Sequence, residues 1–409
     1  MTAKPLTVLG LETSCDETAA AVVRLAGGAR PDILSNVVLS QIDAHIPYGG
    51  VVPEIAARAH VESIDAIARQ ALAEAGVAAQ DLDGVAATAG PGLVGGVMVG
   101  LSFGKAMALA LGLPLIAVNH LEGHAVSARL TAEVPYPFLL LLVSGGHCQL
   151  LEVAGVGACR RLGTTIDDAA GEAFDKIGGA LGLAYPAGPA LERLAEGGDA
   201  ARFPLPRALA GRKGCDFSFS GLKTAAARLA AGLTTDEDRR DLAAAVQGAI
   251  ARQLVERTAR AMRTYAAARN TSDTLSSPSG GSTAEGRDGG SPPRGIGESP
   301  HRRFAPLPPV GEERRVAGLR FVVAGGVAAN RTVRGALESL AAAEGFSFDA
   351  PPLAYCTDNA AMIALAGAER LALGLTDDLD AVARPRWPLD EVAARLHPTH
   401  LAGRKGAKS

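Results

Sequence analysis

Residues 6–25 read LTVLGLETSCDETAAAVVRL. Leu6 to Leu11 is apolar, Glu12 to Thr18 is small and polar, and Ala19 to Leu25 is apolar again. That order is strand, turn, strand. Residues 138–153, FLLLLVSGGHCQLLEV, repeat it. An apolar run from Phe138 to Val143 enters the tight turn Ser144-Gly145-Gly146-His147, and Cys148 to Val153 resumes. The two hairpins form a weak internal repeat, which implies two similar lobes facing each other across a cleft.

Between and beyond the hairpins the pattern alternates. Val52 to Gly76 is Ala-rich with spaced Ile and Leu, a helical spacing. Gly84 to Thr88 is a short strand running into Ala89-Gly90-Pro91-Gly92 and an apolar helix to about Leu111. Leu115 to Val118 reads as a buried strand followed by a helix from His120. Ile166 to Leu183 and Leu242 to Ala268 read as helices, Leu319 to Val323 as a strand, and a last helix follows Asp358. Strands alternating with helices predict an α/β protein with mainly parallel sheets and antiparallel edges from the hairpins. The predicted organisation is a first lobe over 1–118 to which 359–409 returns, and a second over 119–358. Within the second, residues 270–315 are rich in Ser, Gly, Pro and charge. Such a stretch cannot bury enough apolar surface to offset its ordering entropy, so a disordered insertion is expected there.

Composition narrows the function classes. Hydrophobic residues make up 48% and charged ones 20%, the profile of a globular protein. Net charge is −3, which argues against a chain coated in basic charge for nucleic acid. A polynucleotide would need a local patch or a partner. Arg207, Arg212, Lys213 and Lys223, with Arg404, Lys405 and Lys408 at the tail, are local basic groups, although solvated surface charge accounts for each taken singly. Five cysteines without CxxC spacing fit a reducing compartment. The start carries no basic-then-apolar leader, and no run approaches the ~20 apolar residues of a membrane span. The expectation is a cytoplasmic protein with no membrane partner.

Four elements have the residue types of a reactive site. In Asn119-His120-Leu121-Glu122-Gly123-His124, a helix puts His120 and His124 on one face, where they can share an ion. An HxxxH alone is common by chance; its place after a buried strand favours ligation, because ligands in α/β sheets gather at the carboxyl ends of strands. Asp358, in Tyr355-Cys356-Thr357-Asp358-Asn359, is the candidate third ligand, with a helix N-cap as its ordinary role. Two His and a carboxylate suit Fe(2+) or Zn(2+). The bare Ser144-Gly145-Gly146 turn lets backbone N–H groups approach a phosphate, with the hydroxyls and carboxylates of residues 13–18 opposite. Gly325-Gly326, between a strand and a helix, leaves room for a flat ring beside the Asn330 amide. Asp175 on Gly171–Lys176, with the loop Tyr185–Pro189 beyond it, can accept from ribose hydroxyls, the ordinary alternative being a solvated helix face.

Taken together and in order, GLETSCDET, GGVVPEIAARAH, NHLEGH, LLVSGGH, TIDDAAGEAFDK, DFSFSGLKT, AGGVAANRTVR and CTDNAAMIA resemble the tRNA N6-adenosine threonylcarbamoyltransferase family, whose fold is the two-lobed actin/Hsp70-like ATPase fold. The resemblance runs from about Thr7 to Gly367. It implies that His120, His124 and Asp358 hold one divalent ion, iron first and zinc as the alternative. It implies that Leu142, Val143, Ser144, Gly145, Gly146, Asp175, Gly188 and Asn330 bind the donor, threonylcarbamoyl-AMP. Glu17 is implied in catalysis, and Asp16 beside it is a second acidic candidate on chemical grounds. The remaining implied partners are tRNA, a TsaB-like paralogue and a TsaE-like small ATPase. Two features depart from the pattern: Ala187 stands where relatives have a second Gly, and 270–315 has no counterpart in the core pattern.

The implied reaction is acyl transfer. The N6 amine of a tRNA adenosine (position 37, beside the anticodon) attacks the carbamoyl carbon, AMP leaves, and t6A forms. Which residue takes the amine proton, Asp16 or Glu17, stays open. A metalloprotease and a small-molecule kinase of the same fold are the rival readings. A kinase has no need of paired histidines, and in the protease motif HExxH the base follows the first His, where this chain has Leu121.

Overall fold

A computed structural model describes residues 4–27, 30–275 and 318–396 of the chain. The first part holds β1 (Leu6–Glu12), β2 (Glu17–Leu25), β3 (Asp32–Ser40), a short α1 (Ile42–His45), α2 (Pro53–Ala75), β4 (Gly84–Gly90), α3 (Val94–Leu111), β5 (Leu115–Asn119) and α4 (His120–Val126). The second holds β6 (Phe138–Val143), β7 (Cys148–Gly155), β8 (Ala158–Thr164), α5 (Ala170–Ala180), α6 (Gly188–Leu194), α7 (Ser220–Ala230), α8 (Asp236–Leu275), β9 (Arg320–Ala324), α9 (Arg331–Ala343) and β10 (Ser347–Asp349). α10 (Ala360–Ala372) and α11 (Glu391–Leu396) close the described chain.

Two five-stranded sheets share one topology. The first runs β3-β2-β1-β4-β5 and the second, written from its other edge, β8-β7-β6-β9-β10. In each, a hairpin extended by a third strand is antiparallel, and the hairpin's first strand pairs in parallel with the strand arriving from a long crossover. The repeat visible in the two hairpins therefore extends to the whole of both sheets, giving the two-lobed actin/Hsp70-like ATPase fold.

Alternation explains the layers. On β1, Val8 faces one cluster with α10, whereas Leu9 and Leu11 face another with α2 and α3. β6 divides likewise, with Leu139, Leu141 and Val143 on one side and Leu140 and Leu142 on the other. α10 lies close on β1 because Gly10 lacks a side chain: a Cβ there would strike the Ala360 carbonyl and come within 2.8 Å of the Ala364 Cβ. Polar ties cross between the sheets. Glu122 of α4 accepts from Gly157 N, in the β7–β8 turn, and pairs with Arg370 of α10.

Several sequence expectations shift. The helix expected over 166–183 begins only at Ala170, because Asp167 accepts the backbone N–H groups of Asp168, Phe219 and Ser220 and holds the preceding residues in a loop. The expected insertion at 270–315 lies outside the described residues except for its first six, which continue α8 to Leu275. The apolar run in α3 is also longer than the sequence reading allowed. Its 18 residues have a mean hydropathy of 1.6, long and apolar enough to cross a membrane. One face, with Gly96, Val97, Gly100, Leu101, Gly104 and Ala108, is buried in the protein.

Candidate active site and metal centre

The chemically distinctive residues collect where parallel strands end. Glu12 ends β1, Asn119 ends β5, Val143 ends β6 and Ala324 ends β9. Asn119 caps α4 by accepting Leu121 N through Oδ1 (2.9 Å), and its Nδ2 donates to the Trp387 carbonyl. His120 and His124 then project from successive turns, ring centroids 4.7 Å apart and nearly perpendicular.

Asp358 arrives from the other end of the chain. Its Oδ1 lies 3.0 Å from His124 Nε2 and 3.5 Å from His120 Nε2. The ordinary role of an Asp at this place falls to its neighbour: Asn359 caps α10, accepting Met362 N. Asp358 is thereby left facing the histidines. One nitrogen from each ring and one carboxylate oxygen lie within 4.8 Å of one another. The donor set fits a divalent ion with open coordination positions. His124 Nδ1 is buried and has no hydrogen-bond partner among the described residues.

Electrostatics bind this group together. Burial would raise the Asp358 carboxyl, but His120 foremost, then His124 and His147, pull it well below the usual carboxylate range. Burial would lower His120, yet Glu12 and Asp358 outweigh it and hold its pKa up at about 9. His147 links the SGG turn of the second sheet to this group through its charge on Asp358.

The turn after β1 is pinned from several sides. Thr13 Oγ1 donates to the Gly96 carbonyl and accepts Gly100 N of α3. His60 of α2 sits 2.8 Å from Thr18 Oγ1 through Nδ1 and donates through Nε2 to the Cys15 carbonyl (3.1 Å). This turn carries Asp16 and Glu17. Burial first, then the charges of Asp358 and Asp16, push Glu17 well above the usual carboxylate range. Asp16 also acts on Asp175 and on Tyr185, so the 185–188 loop of the second sheet faces the turn of the first.

The other predicted residues are placed as follows. Leu142 and Val143 are fully buried, so only their backbone is available to a ligand. The Ser144 and Gly145 carbonyls accept Gly171 N and Glu172 N at the start of α5, and Gly171 packs so close that a side chain there would strike Gly145, whereas the side-chain positions of Gly145 and Gly146 are open. Gly325 has φ 95° and lies against the Val143 carbonyl, where any side chain would collide. A side chain on Gly326 would reach the Thr357 methyl, next to Asp358, at 4.0 Å. Asp175 Oδ1 accepts Ala187 N (2.8 Å), tying down the loop that leads to Gly188. Asn330 has partners within the protein: Oδ1 caps α9 through Val333 N, and Nδ2 donates to Gln247.

The family model for tRNA N6-adenosine threonylcarbamoyltransferase matches residues 32–272 and 314–365, well over half of the chain. The chain belongs to that family. A relative of that name from Caulobacter vibrioides is 66% identical over 404 residues, covering 99% of this chain and 98% of its own. One from Maricaulis maris is 54% identical, covering 100% and 97%. The family match stops at 272 and resumes at 314, bracketing the Ser/Gly/Pro-rich stretch, whereas the Caulobacter alignment takes in most of it. Among solved structures, T. kodakarensis HypF superposes with a TM-score of 0.52 at 15% identity, over 90% of this chain and 48% of that one, a likeness of fold. Family membership makes the chain a transferase.

Glu12, His60 and His147 escaped the sequence reading as site residues. Glu12 and His60 read as the first residue of a polar turn and a helix position, and nothing local signals that their side chains meet His120 and the Cys15 carbonyl. His147 does stand within a quoted turn, beside the two glycines.

Proposed function

We propose that the chain transfers the threonylcarbamoyl group of threonylcarbamoyl-AMP to N6 of adenosine 37 in tRNA, releasing AMP. The observation that carries this reading, beside family membership, is the meeting of His120, His124 and Asp358 with the acidic turn Asp16-Glu17 at the strand ends. The lobes are read as 1–118 with 359–409, and 119–358; the two sheets and the packing of α10 on the first support that division.

The residues divide the work. His120, His124 and Asp358 would hold iron or zinc, which as a Lewis acid supplies polarisation of the donor's carbonyl. The Gly145 and Gly146 turn, open where side chains would stand, faces the donor's phosphate, whose charge grows as AMP departs. Asp175 fixes the 185–188 loop against the adenylate. The N6 amine is a poor nucleophile because its lone pair is delocalised into the ring, so its proton must be taken as the new bond forms. Asp16 and Glu17 are the acidic groups at that position, and the Asp16–Glu17 pair can pass the proton outward.

A protease is disfavoured because Glu122 is engaged by Gly157 and Arg370, away from the histidines. The TsaB-like paralogue and TsaE-like ATPase remain the proposed partners and the cytoplasm the proposed compartment. The test is mass spectrometry of tRNA incubated with the protein, donor and those partners. A threonylcarbamoyl mass increment on one adenosine supports the reading; unmodified tRNA with active partners refutes it.

A further inference from the structure

Glu12 is completely buried at the end of β1, and the reaction outlined above gives it no task. Its carboxylate has three protein partners. Oε1 accepts Ser14 N at 2.6 Å, Oε2 accepts Thr88 Oγ1 at 2.6 Å, and Oε2 also lies 2.8 Å from His120 Nδ1. Ser14 Oγ stands 3.1 Å from the same ring nitrogen. The opposite nitrogen, Nε2, points to Asp358.

An ionised carboxylate offers only acceptors, so the nitrogen that faces it must carry a hydrogen. In the neutral ring that a metal ion requires, that leaves Nε2 with the lone pair, on the side where His124 Nε2 and Asp358 Oδ1 converge. Among the described residues His124 has no such partner, since its Nδ1 is buried and unpaired there. The two histidines are thus unequal: His120 is held on both nitrogens, whereas His124 is held only on the Nε2 side, by Asp358.

We infer that Glu12 is the positioning residue of the metal centre, holding His120 by its Nδ1–H so that Nε2 is the ligating atom. The inference rests on the His120, His124, Asp358 centre proposed above. Carboxylate partners of this kind orient a ligating imidazole and raise its basicity, and their loss typically weakens metal binding about 10–100-fold. In Glu12→Gln the amide cannot serve all three partners. If its oxygen keeps the Ser14 amide, its NH2 group meets His120 Nδ1 and favours the wrong tautomer. If it turns round, the NH2 group opposes Ser14 N.

The test uses the full chain and zinc. Zinc affinity is measured by competition with a chromophoric chelator for wild type, Glu12→Gln and Glu122→Gln. The last loses another buried carboxylate that does not touch the ligands. Long-range 15N–1H spectra of the zinc-loaded proteins report which His120 nitrogen holds the metal and which the hydrogen. Expected are about a 10–100-fold loss in Glu12→Gln alone, and in wild type an Nε2-bound His120 with a strongly downfield Nδ1–H that moves upfield in the variant. Equal affinity in Glu12→Gln and wild type overturns the inference and leaves the metal centre standing. An Nδ1-bound His120 in wild type overturns it whether or not the variant folds. Wild type that takes up no zinc or iron overturns the centre itself.

Discussion

Nε2 of His124 and Oδ1 of Asp358 lie 3.0 Å apart, joining positions 234 residues distant in sequence. α4 follows β5 of the first sheet, whereas Asp358 comes after the whole second sheet and immediately before α10, which returns to the first. The centre is therefore closed by the chain's return, and losing any of its three members should open it. His120→Ala, His124→Ala and Asp358→Ala should each bring metal content, measured by elemental mass spectrometry, and transfer activity to background. Full occupancy in the His120→Ala/His124→Ala double variant contradicts the assignment.

Metal uptake should depend on pH in a stated direction. Without the ion, Glu12 and Asp358 hold His120 protonated up to a pKa of about 9. A ligating imidazole must be neutral, so binding at pH 7.5 displaces about one proton, and apparent affinity should climb roughly tenfold per pH unit until about pH 9. The sign for stability is opposite. A pKa raised above the ~6.5 of an unfolded histidine stabilises the metal-free fold fully below that value, and the contribution is lost as pH rises through about 9. Calorimetry in buffers of different ionisation enthalpy measures the proton release, and melting of the metal-free protein between pH 6 and 10 measures the loss. Uptake with no proton release contradicts the charge balance.

Asn330→Ala should act on folding as well as on the donor. The side chain accepts Val333 N at the start of α9 and donates to Gln247. Loss of such a cap costs about 1 kcal/mol, and Gln247 loses a partner besides. Asn330→Asp keeps the cap but turns a carboxylate toward the Gln247 oxygen, so it should be intermediate. Urea melts of the three proteins rank them. Equal stability would show that the amide is free for a ligand after all.

Asp175 separates charge from geometry. Its Oδ1 accepts Ala187 N, and burial raises its carboxyl above the usual range. Asp175→Asn retains an acceptor and should keep the loop, with donor affinity within a few-fold. Asp175→Ala frees the loop and should lose about 1.5–3 kcal/mol of donor binding, the range for hydrogen bonds to charged groups. Calorimetry with an unreactive donor analogue reads both; identical affinities in wild type and Asp175→Ala would remove the residue from the site.

Much of this architecture is written locally. The hairpins at residues 6–25 and 138–153 announce themselves because turn and strand signals span few residues, and the sheet repeat follows from them. The histidine pair is legible for the same reason, since i, i+4 spacing and a strand end are both local. What the sequence hides is side-chain partnership over long separation. Nothing around Glu12 tells that it meets His120, 108 residues on, and nothing around Asn330 tells that Gln247 occupies its amide. The start of the 170–180 helix was misplaced for a related reason. Asp167 is drawn out of helical conformation by Phe219 and Ser220, some fifty residues downstream.

Glu122 distinguishes a transferase from a hydrolase. At ~100° per residue, it is turned about 200° from His120 around α4. Its carboxylate reaches the opposite side, accepting Gly157 N at 3.0 Å and pairing with Arg370 at 3.2 Å. Burial raises its pKa, with Arg370 and Gly157 N opposing. A residue so held cannot activate water at the histidines; its work is to join α4, α10 and the β7–β8 turn. Glu122→Gln keeps an acceptor for Gly157 N but deprives Arg370 of its charge partner, and that guanidinium already has a buried Nε without a bond among the described residues. Stability should fall by about 1–3 kcal/mol, while metal content and most transfer activity remain. In a protease built on this helix the order reverses: the fold stays intact and a metal-dependent peptide cleavage disappears. Thermal melts, elemental analysis and both assays on this one variant separate the two, and cleavage abolished by Glu122→Gln would establish the protease.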